Sequence, residues 1–155
     1  MSGIDPNQLR TLIITPTLAV IGLGGAAAEE LLLGTALQES GDGRWLQQLG
    51  GPALGVWEME PLTYGDIWTN YLTAHPALAA SLRSLQLPGV SPLDQLRGNL
   101  YYACAMARVK YYRAPDALPA AGDLEAQAAF YVRVYNAGGK ATTVEYVANW
   151  HAALG

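Results

Sequence analysis

The amino-acid sequence predicts an all-α fold in a single domain. Several segments place apolar residues at helical spacing, and no segment shows the sustained two-residue alternation of a half-buried strand. The chain has 155 residues, a length that fits one domain with a substantial core. Its residues are 51% hydrophobic and only 14% charged, which excludes a disordered chain. A small β-hairpin is the one departure that we allow for, within residues 43–57.

The N-terminal segment predicts two short core helices, at about Pro6–Ile14 and Pro16–Leu23, because a proline suits the first turn of a helix. Residues 11–28 form an apolar run that ends in three alanines, a pattern typical of a signal peptide. Asp5 and Pro16 argue against that interpretation. Pro16 and a glycine pair also divide the run too early for a membrane-spanning helix, so we expect none.

The strongest helix prediction covers Ala26–Gln38, which has good helix formers, two glutamates near its start and a glycine-rich stop. Apolar residues cover nearly all sides of the segment 91–112, which predicts the central buried helix. The remaining predicted helices are Thr63–His75 with Thr63 as cap, Pro76–Leu85, the central helix Ser91–Tyr112 with Ser91 as cap, Leu124–Tyr135 after Asp123 as cap, and a last helix from Thr142 or Thr143 to Leu154.

Charge and residue usage exclude several classes of function. A net charge of −4 argues against a nucleic-acid-binding protein, because no basic excess is present to neutralise phosphates. The single cysteine, Cys104, excludes an internal disulfide and is predicted to be a buried structural thiol. His75 and His151 are isolated, and the sequence has no metal-ligand spacing or phosphate-binding loop. We therefore expect neither a metal nor a cofactor.

The most informative stretch runs from Leu31 to Pro61. An apolar helix leads into Glu39-Ser40, breaks at residues 41–43 and is followed by a glycine-rich loop. The chain then turns at Gly55 into Val56-Trp57-Glu58-Met59. A general acid needs an apolar setting to raise its pKa, and the apolar helix supplies one for Glu39. This arrangement points to a site that cleaves sugar chains.

Three motifs in this sequence resemble those of the soluble lytic transglycosylases, members of the lysozyme superfamily. Leu37–Ser40 resembles the catalytic "ES" motif, Gly55–Met59 is similar to the "GLMQ" motif, and Val134–Gly139 is similar to the "AYNAG" motif. They follow one another in the family's order, and the resemblance covers residues 26–147. It implies a lysozyme-like domain over residues 1–155, with 1–25 as a helical extension. The small chain also resembles lysozyme-like proteins of tailed phages.

The resemblance implies that Glu39 protonates the glycosidic oxygen between N-acetylmuramic acid and N-acetylglucosamine. The same carboxylate then acts as a base on the sugar's own 6-hydroxyl, which gives a 1,6-anhydro product without water. One carboxylate in two successive roles needs no second acid, unlike the two-carboxylate glycosidases. The substrate-binding residues that the resemblance implies are Ser40, Gly55, Trp57, Glu58, Tyr135 and Asn136.

Each of these residues also has a purely structural interpretation. Glu39 could be a solvated helix-end residue, Ser40 could simply hydrogen-bond the helix end, and Trp57 could pack in the core. Asn136 could be an ordinary helix cap before its glycines.

Glu58 is the main departure, because the family has glutamine at this position. A second carboxylate could raise the pKa of Glu39, or activate water and make the protein a hydrolysing muramidase, or point to solvent without effect.

Two functions therefore remain open from the sequence. The first is a peptidoglycan lytic transglycosylase, carried in or on a phage particle and acting on glycan strands in the bacterial periplasm during genome delivery. The second is a structural tail or baseplate component that keeps the lysozyme-like fold with little or no activity. The expected partners are peptidoglycan and other virion proteins. A secreted enzyme is the alternative location, and a lysis endolysin is a third option.

Overall fold

The computed structural model describes residues 3–155, and its regular secondary structure is helical, which confirms the all-α single-domain prediction. The helices are α1 over residues 6–21 (Pro6–Gln8, the π-helical Leu9–Ile14 and Thr15–Ile21), α2 (Ala26–Ser40), α3 over residues 61–74 (Pro61–Asp66, the π-helical Ile67–Tyr71 and the 3₁₀ turn Leu72–Ala74), α4 (Pro76–Ser84), α5 (Gln95–Gly98), α6 (Leu100–Tyr112), α7 over residues 124–135 (Leu124–Phe130 and the π-helical Tyr131–Tyr135) and α8 (Thr143–Leu154).

The two predicted N-terminal helices run together into one. Pro16 lies in the first turn of the last segment of α1, as its sequence position predicts. A π-helical segment, Leu9–Ile14, precedes it and carries the chain forward without a break. The helix ends at Gly22, whose φ of 71° reverses the chain.

The predicted start of α3 was wrong. This helix begins at Pro61 after Glu60, so Thr63 lies inside its first turn and does not cap it. Proline at the first helical position is favourable, because its missing N–H has no partner to lose there.

The long helix predicted from Ser91 to Tyr112 is divided in two. Asn99 adopts an extended conformation, with φ of −105°, and its side chain accepts a hydrogen bond from the Tyr102 amide at 3.1 Å. Asn99 is therefore the true N-cap of α6, in place of the predicted Ser91.

The remaining caps and helices agree with the sequence. Asp123 accepts a hydrogen bond from the Ala126 amide at 3.1 Å and so caps α7. Thr142 caps α8 and forms a reciprocal capping box with Glu145. The helix α2 is confirmed at Ala26 and extends through Ser40.

The segment between α2 and α3 contains isolated bridges in place of the hairpin that we allowed for. Within the described residues, Leu54 pairs with Gln47 and with Met59, in each case as a single antiparallel bridge. The amide of Leu54 donates to the Met59 carbonyl at 2.9 Å, and the Met59 amide donates back at 3.0 Å. This double hydrogen bond closes the turn of residues 55–58.

One hydrophobic core connects the helices. The helix α6 runs through it, with residues 102–109 all buried, including Cys104 as predicted. Leu9, Ile14 and Leu18 of α1 lie fully buried in the same core, so this N-terminal helix is part of the packed domain. Among the residues from 3 onward, no helix has the length and apolar character needed to cross a membrane.

Candidate active site

A cleft of about 270 Å³ opens where the end of α2, the turn 55–58, α6 and the end of α7 meet. Four of the predicted site residues line it, namely Glu39, Glu58, Tyr135 and Asn136. The complete lining is Glu39, Gln48, Ala53, Glu58, Glu60, Thr63, Lys110, Tyr135, Asn136, Ala137, Gly138 and Gly139. The structure thus brings together residues from the three sequence motifs.

Glu39 lies in the last turn of α2 and is largely buried against α7. Its Oε1 accepts a hydrogen bond from the Tyr131 hydroxyl at 2.6 Å. Burial raises the pKa of Glu39, while the Tyr131 hydrogen bond and the nearby charge of Lys110 oppose that rise. A carboxyl group with a raised pKa at the wall of a cleft holds its proton to higher pH than a solvated glutamate does, and can deliver it to a ligand.

Glu58 faces the same cleft from the turn, and its backbone has a φ of 42°, unusual for a residue with a side chain. Burial raises the pKa of Glu58, and the charge of Glu39 adds to that rise. The two carboxyl groups are close enough for each to shift the pKa of the other. They therefore titrate as a pair.

Hydrogen bonds from α2 and α7 hold the turn in place. The Ser40 hydroxyl donates to the Val56 carbonyl at 2.6 Å and accepts from the Gly43 amide at 2.9 Å. From the other side, the Tyr135 hydroxyl donates to the Trp57 carbonyl at 2.6 Å. Ser40 is buried and does not line the cleft, so its structural role is to fix the turn relative to Glu39.

The first residue of the turn must be glycine. Gly55 has a φ of 83° and is buried against α5. A Cβ at this position would overlap the Leu96 carbonyl oxygen, which is backbone and cannot rotate away. Gly55 thus shapes the turn that presents Glu58, and it does not itself line the cleft.

Trp57 does not offer its ring to a ligand. The side chain is 1% exposed, and its indole N–H donates to the Leu32 carbonyl at 2.9 Å. The predicted sugar contact is therefore corrected to the alternative of a core residue, in which Trp57 anchors the turn to α2.

Asn136 follows the end of α7 and forms the exit of the helix. Its Oδ1 accepts from the Ala141 amide at 3.2 Å, and its carbonyl accepts from the Gly139 amide at 2.9 Å. The side chain orders the loop 137–141 while it also lines the cleft. The cap interpretation and a ligand contact are thus compatible at this residue.

Sequence reasoning missed two residues of the site, Tyr131 and Lys110. The resemblance placed Tyr135 among the substrate-binding residues, whereas the tyrosine that hydrogen-bonds Glu39 is Tyr131. The two tyrosines are four residues apart in the sequence, a spacing that places them on one helix face and could have suggested both.

Lys110 enters the cleft from α6. Its Nζ donates to the Tyr135 carbonyl at 2.7 Å and lies 3.8 Å above the Tyr135 ring. Burial lowers the pKa of Lys110 to about 8, although the charge of Glu39 opposes this. The position of Lys110 within a helix predicted to be buried could have identified it as a site residue, because burying a charge without a partner is costly.

Comparison with protein-family models, curated proteins and solved structures finds no significant match to this chain.

Proposed function

We propose that this protein is a peptidoglycan lytic transglycosylase, with Glu39 as the catalytic acid and base. The observation that carries the proposal is the environment of Glu39, a largely buried carboxyl group with a raised pKa that opens to a cleft. A general acid for glycosidic cleavage needs this combination of a retained proton and access to substrate. The shared order of the three motifs supports the same assignment.

In this mechanism, Glu39 protonates the glycosidic oxygen of the bond between N-acetylmuramic acid and N-acetylglucosamine, and the leaving sugar departs. The Glu39 carboxylate then removes the proton from the 6-hydroxyl of the muramic acid residue. The oxygen of that hydroxyl attacks C1 of the same sugar. The Tyr131 hydroxyl, 2.6 Å from Oε1, stabilises the carboxylate between these steps and holds its orientation. Lys110 adds a positive charge that favours the same form.

Glu58 fits the mechanism when it, like Glu39, carries a proton as the reaction begins. A protonated Glu58 is neutral, as the family's glutamine is, and its O–H can donate to Glu39 or to a sugar acetamido oxygen. An ionised Glu58 could instead activate water, which gives a hydrolytic product. The protonation state of Glu58 therefore decides between the two products.

An exposed aromatic ring lies on the loop before the turn. Trp45 is 39% exposed and precedes Gln48, which lines the cleft. Exposed Leu46 and Leu49 lie on the same loop. Exposed aromatic rings commonly bind sugars, which makes Trp45 a candidate sugar contact outside the residues that line the cleft. The phage-virion setting and delivery through the periplasmic cell wall follow from the resemblance and belong to the proposal.

The test is digestion of purified peptidoglycan, with mass analysis of the released muropeptides, by the wild type and by Glu39→Gln. Glu125→Gln is the matched control, because Glu125 is an exposed glutamate in the first turn of α7. We expect anhydro-muropeptides from the wild type and the control, and a loss of at least 100-fold for Glu39→Gln, the typical contribution of a general acid being about 10²–10⁴-fold.

Other outcomes separate the alternatives. Reducing-end products would mean hydrolysis, and Glu58→Gln should then abolish them. No release by a folded wild type would reject the enzyme and favour the structural virion component.

A further inference from the structure

A second pocket, of about 560 Å³, lies between α6 and the connector of residues 113–118. It shares no lining residue with the candidate active-site cleft. The peptidoglycan proposal assigns it no role.

The charges around this pocket do not balance. Its charged lining residues are Arg108, Arg113 and Asp116. Arg113 pairs with Asp66 at 2.5 Å, and Asp116 pairs with Arg133 at 3.1 Å. Arg108 takes part in none of the ion pairs found in residues 3–155. One positive charge is therefore left over at the pocket wall.

Arg108 is also deeply placed, with 6% of its surface exposed. Its Nε donates to the Leu23 carbonyl at 3.0 Å, and its guanidinium carbon lies 5.5 Å from the Tyr112 ring centre. Its Nη1 is buried and has no hydrogen-bond partner within the described part of the chain. A buried, unpaired guanidinium is costly, whereas an anion would supply both the counter-charge and the missing acceptor.

The rest of the lining indicates which anion. Tyr71, Tyr112 and Leu118 give the pocket aromatic and aliphatic walls, and the Tyr112 side chain is 45% exposed. Such walls favour a ligand with an apolar body over a fully hydrated inorganic ion. A planar carboxylate matches the geometry of a guanidinium.

We propose that this pocket binds a small organic carboxylate, with its carboxylate on Arg108 and its apolar body against Tyr112 and Leu118. This pocket shares no lining residue with the active-site cleft, so carboxylate binding can be tested separately from peptidoglycan cleavage.

The test uses sodium benzoate as the probe, added to ¹⁵N-labelled full-length protein while backbone amide shifts are followed by NMR. We expect saturable shifts centred on residues 108–118. Benzyl alcohol, benzylamine and inorganic phosphate serve as the neutral, cationic and inorganic comparators. Arg108→Met should weaken benzoate binding by roughly tenfold or more, because it removes a charge-assisted hydrogen bond. The matched control Arg83→Met removes an exposed arginine on α4 and should leave binding unchanged.

Methionine keeps the length of the arginine stem, and replacing an unpaired buried charge by an apolar group is expected to preserve the fold. Ala117→Trp gives a second, independent variant, since Ala117 is exposed at the pocket and the indole would fill it. This variant should lose benzoate shifts while Arg108 stays in place. The proposal is overturned if benzyl alcohol binds as well as benzoate, if phosphate binds more tightly, if Arg108→Met binds like the wild type, or if no saturable shift occurs.

Discussion

A buried carboxyl group outside the candidate active site, Asp42, which follows the end of α2, should contribute to the pH dependence of stability. Asp42 is 3% exposed and has a φ of 53°. Both of its carboxyl oxygens are buried without a hydrogen-bond partner among residues 3–155. Burial, together with the charge of Asp5, raises the pKa of Asp42 from the usual 3.8 to about 7. The folded protein therefore holds a proton that the unfolded chain releases at much lower pH.

The direction of the pH dependence follows from the linkage between proton binding and folding. Because the folded pKa of Asp42 lies above the unfolded value, its contribution to stability is full below 3.8 and is lost as the pH rises through about 7. At about 1.4 kcal/mol for each pKa unit, the loss has an upper limit of about 4 kcal/mol, of which about 3 kcal/mol falls between about pH 5 and pH 8. The variant Asp42→Asn has no ionisable group at this position, and asparagine tolerates the positive φ as aspartate does.

The assay is urea unfolding of the wild type and Asp42→Asn at about pH 5 and about pH 8, with Glu125→Gln as an exposed control. Between these two pH values, we expect the wild type to lose about 2–3 kcal/mol more unfolding free energy than Asp42→Asn does. The control should run parallel to the wild type. If the unfolding free energy of Asp42→Asn changes with pH as that of the wild type does, the Asp42 carboxyl group is not neutral in the folded protein and the prediction is refuted.

Three further predictions concern the candidate active site. Tyr131→Phe removes the donor 2.6 Å from Glu39 and should raise the pKa of Glu39 further, as measured by ¹³C NMR of its carboxyl carbon; an unchanged or lower pKa would contradict the assignment. Lys110→Met removes a nearby positive charge and should move the same pKa in the same direction, whereas Lys110→Arg should largely restore it. Gly55→Ala should cost about 3 kcal/mol or more of unfolding free energy, because a Cβ both strains the backbone and overlaps a fixed carbonyl. Its control, Gly65→Ala, has open space in α3 and should be neutral or gain up to about 1 kcal/mol in denaturant unfolding; equal effects would refute the steric argument.

Local patterns predicted the parts of the fold that local chemistry determines. Helix α2, the cap Asp123 and a cap at Thr142 or Thr143 followed from propensity and capping, which act within a single turn, and the structure selects Thr142. The division at Asn99 was missed because the apolar pattern continues across it. The helix ends there because the Asn99 side chain competes for the Tyr102 amide, a local bond that the periodicity of apolar residues does not reveal.

The candidate site was predicted less completely, because its contacts join residues far apart in the chain. The carboxylate, the glycine of the turn and the asparagine each stand in a motif and could be found from the residues themselves. Whether Trp57 faces the cleft or the core depends on which side of the turn packs on α2, and the sequence left both open. The hydrogen bond of its indole to Leu32 spans 25 residues and exists only after folding.

Tyr131 and Tyr135 show why the sequence alone does not predict which tyrosine hydrogen-bonds Glu39. Both lie on the π-helical end of α7, and both are buried with their rings 6.0 Å apart. One hydroxyl reaches Glu39 and the other reaches the Trp57 carbonyl, so together they tie the acid and the turn carrying Glu58 to a single helix end. Because both hydroxyls are engaged in this way, the distance between the two carboxyl groups is set by α7 as much as by the motifs that contain them. A variant that removes either hydroxyl should therefore change the pKa values of Glu39 and Glu58 while the protein remains folded.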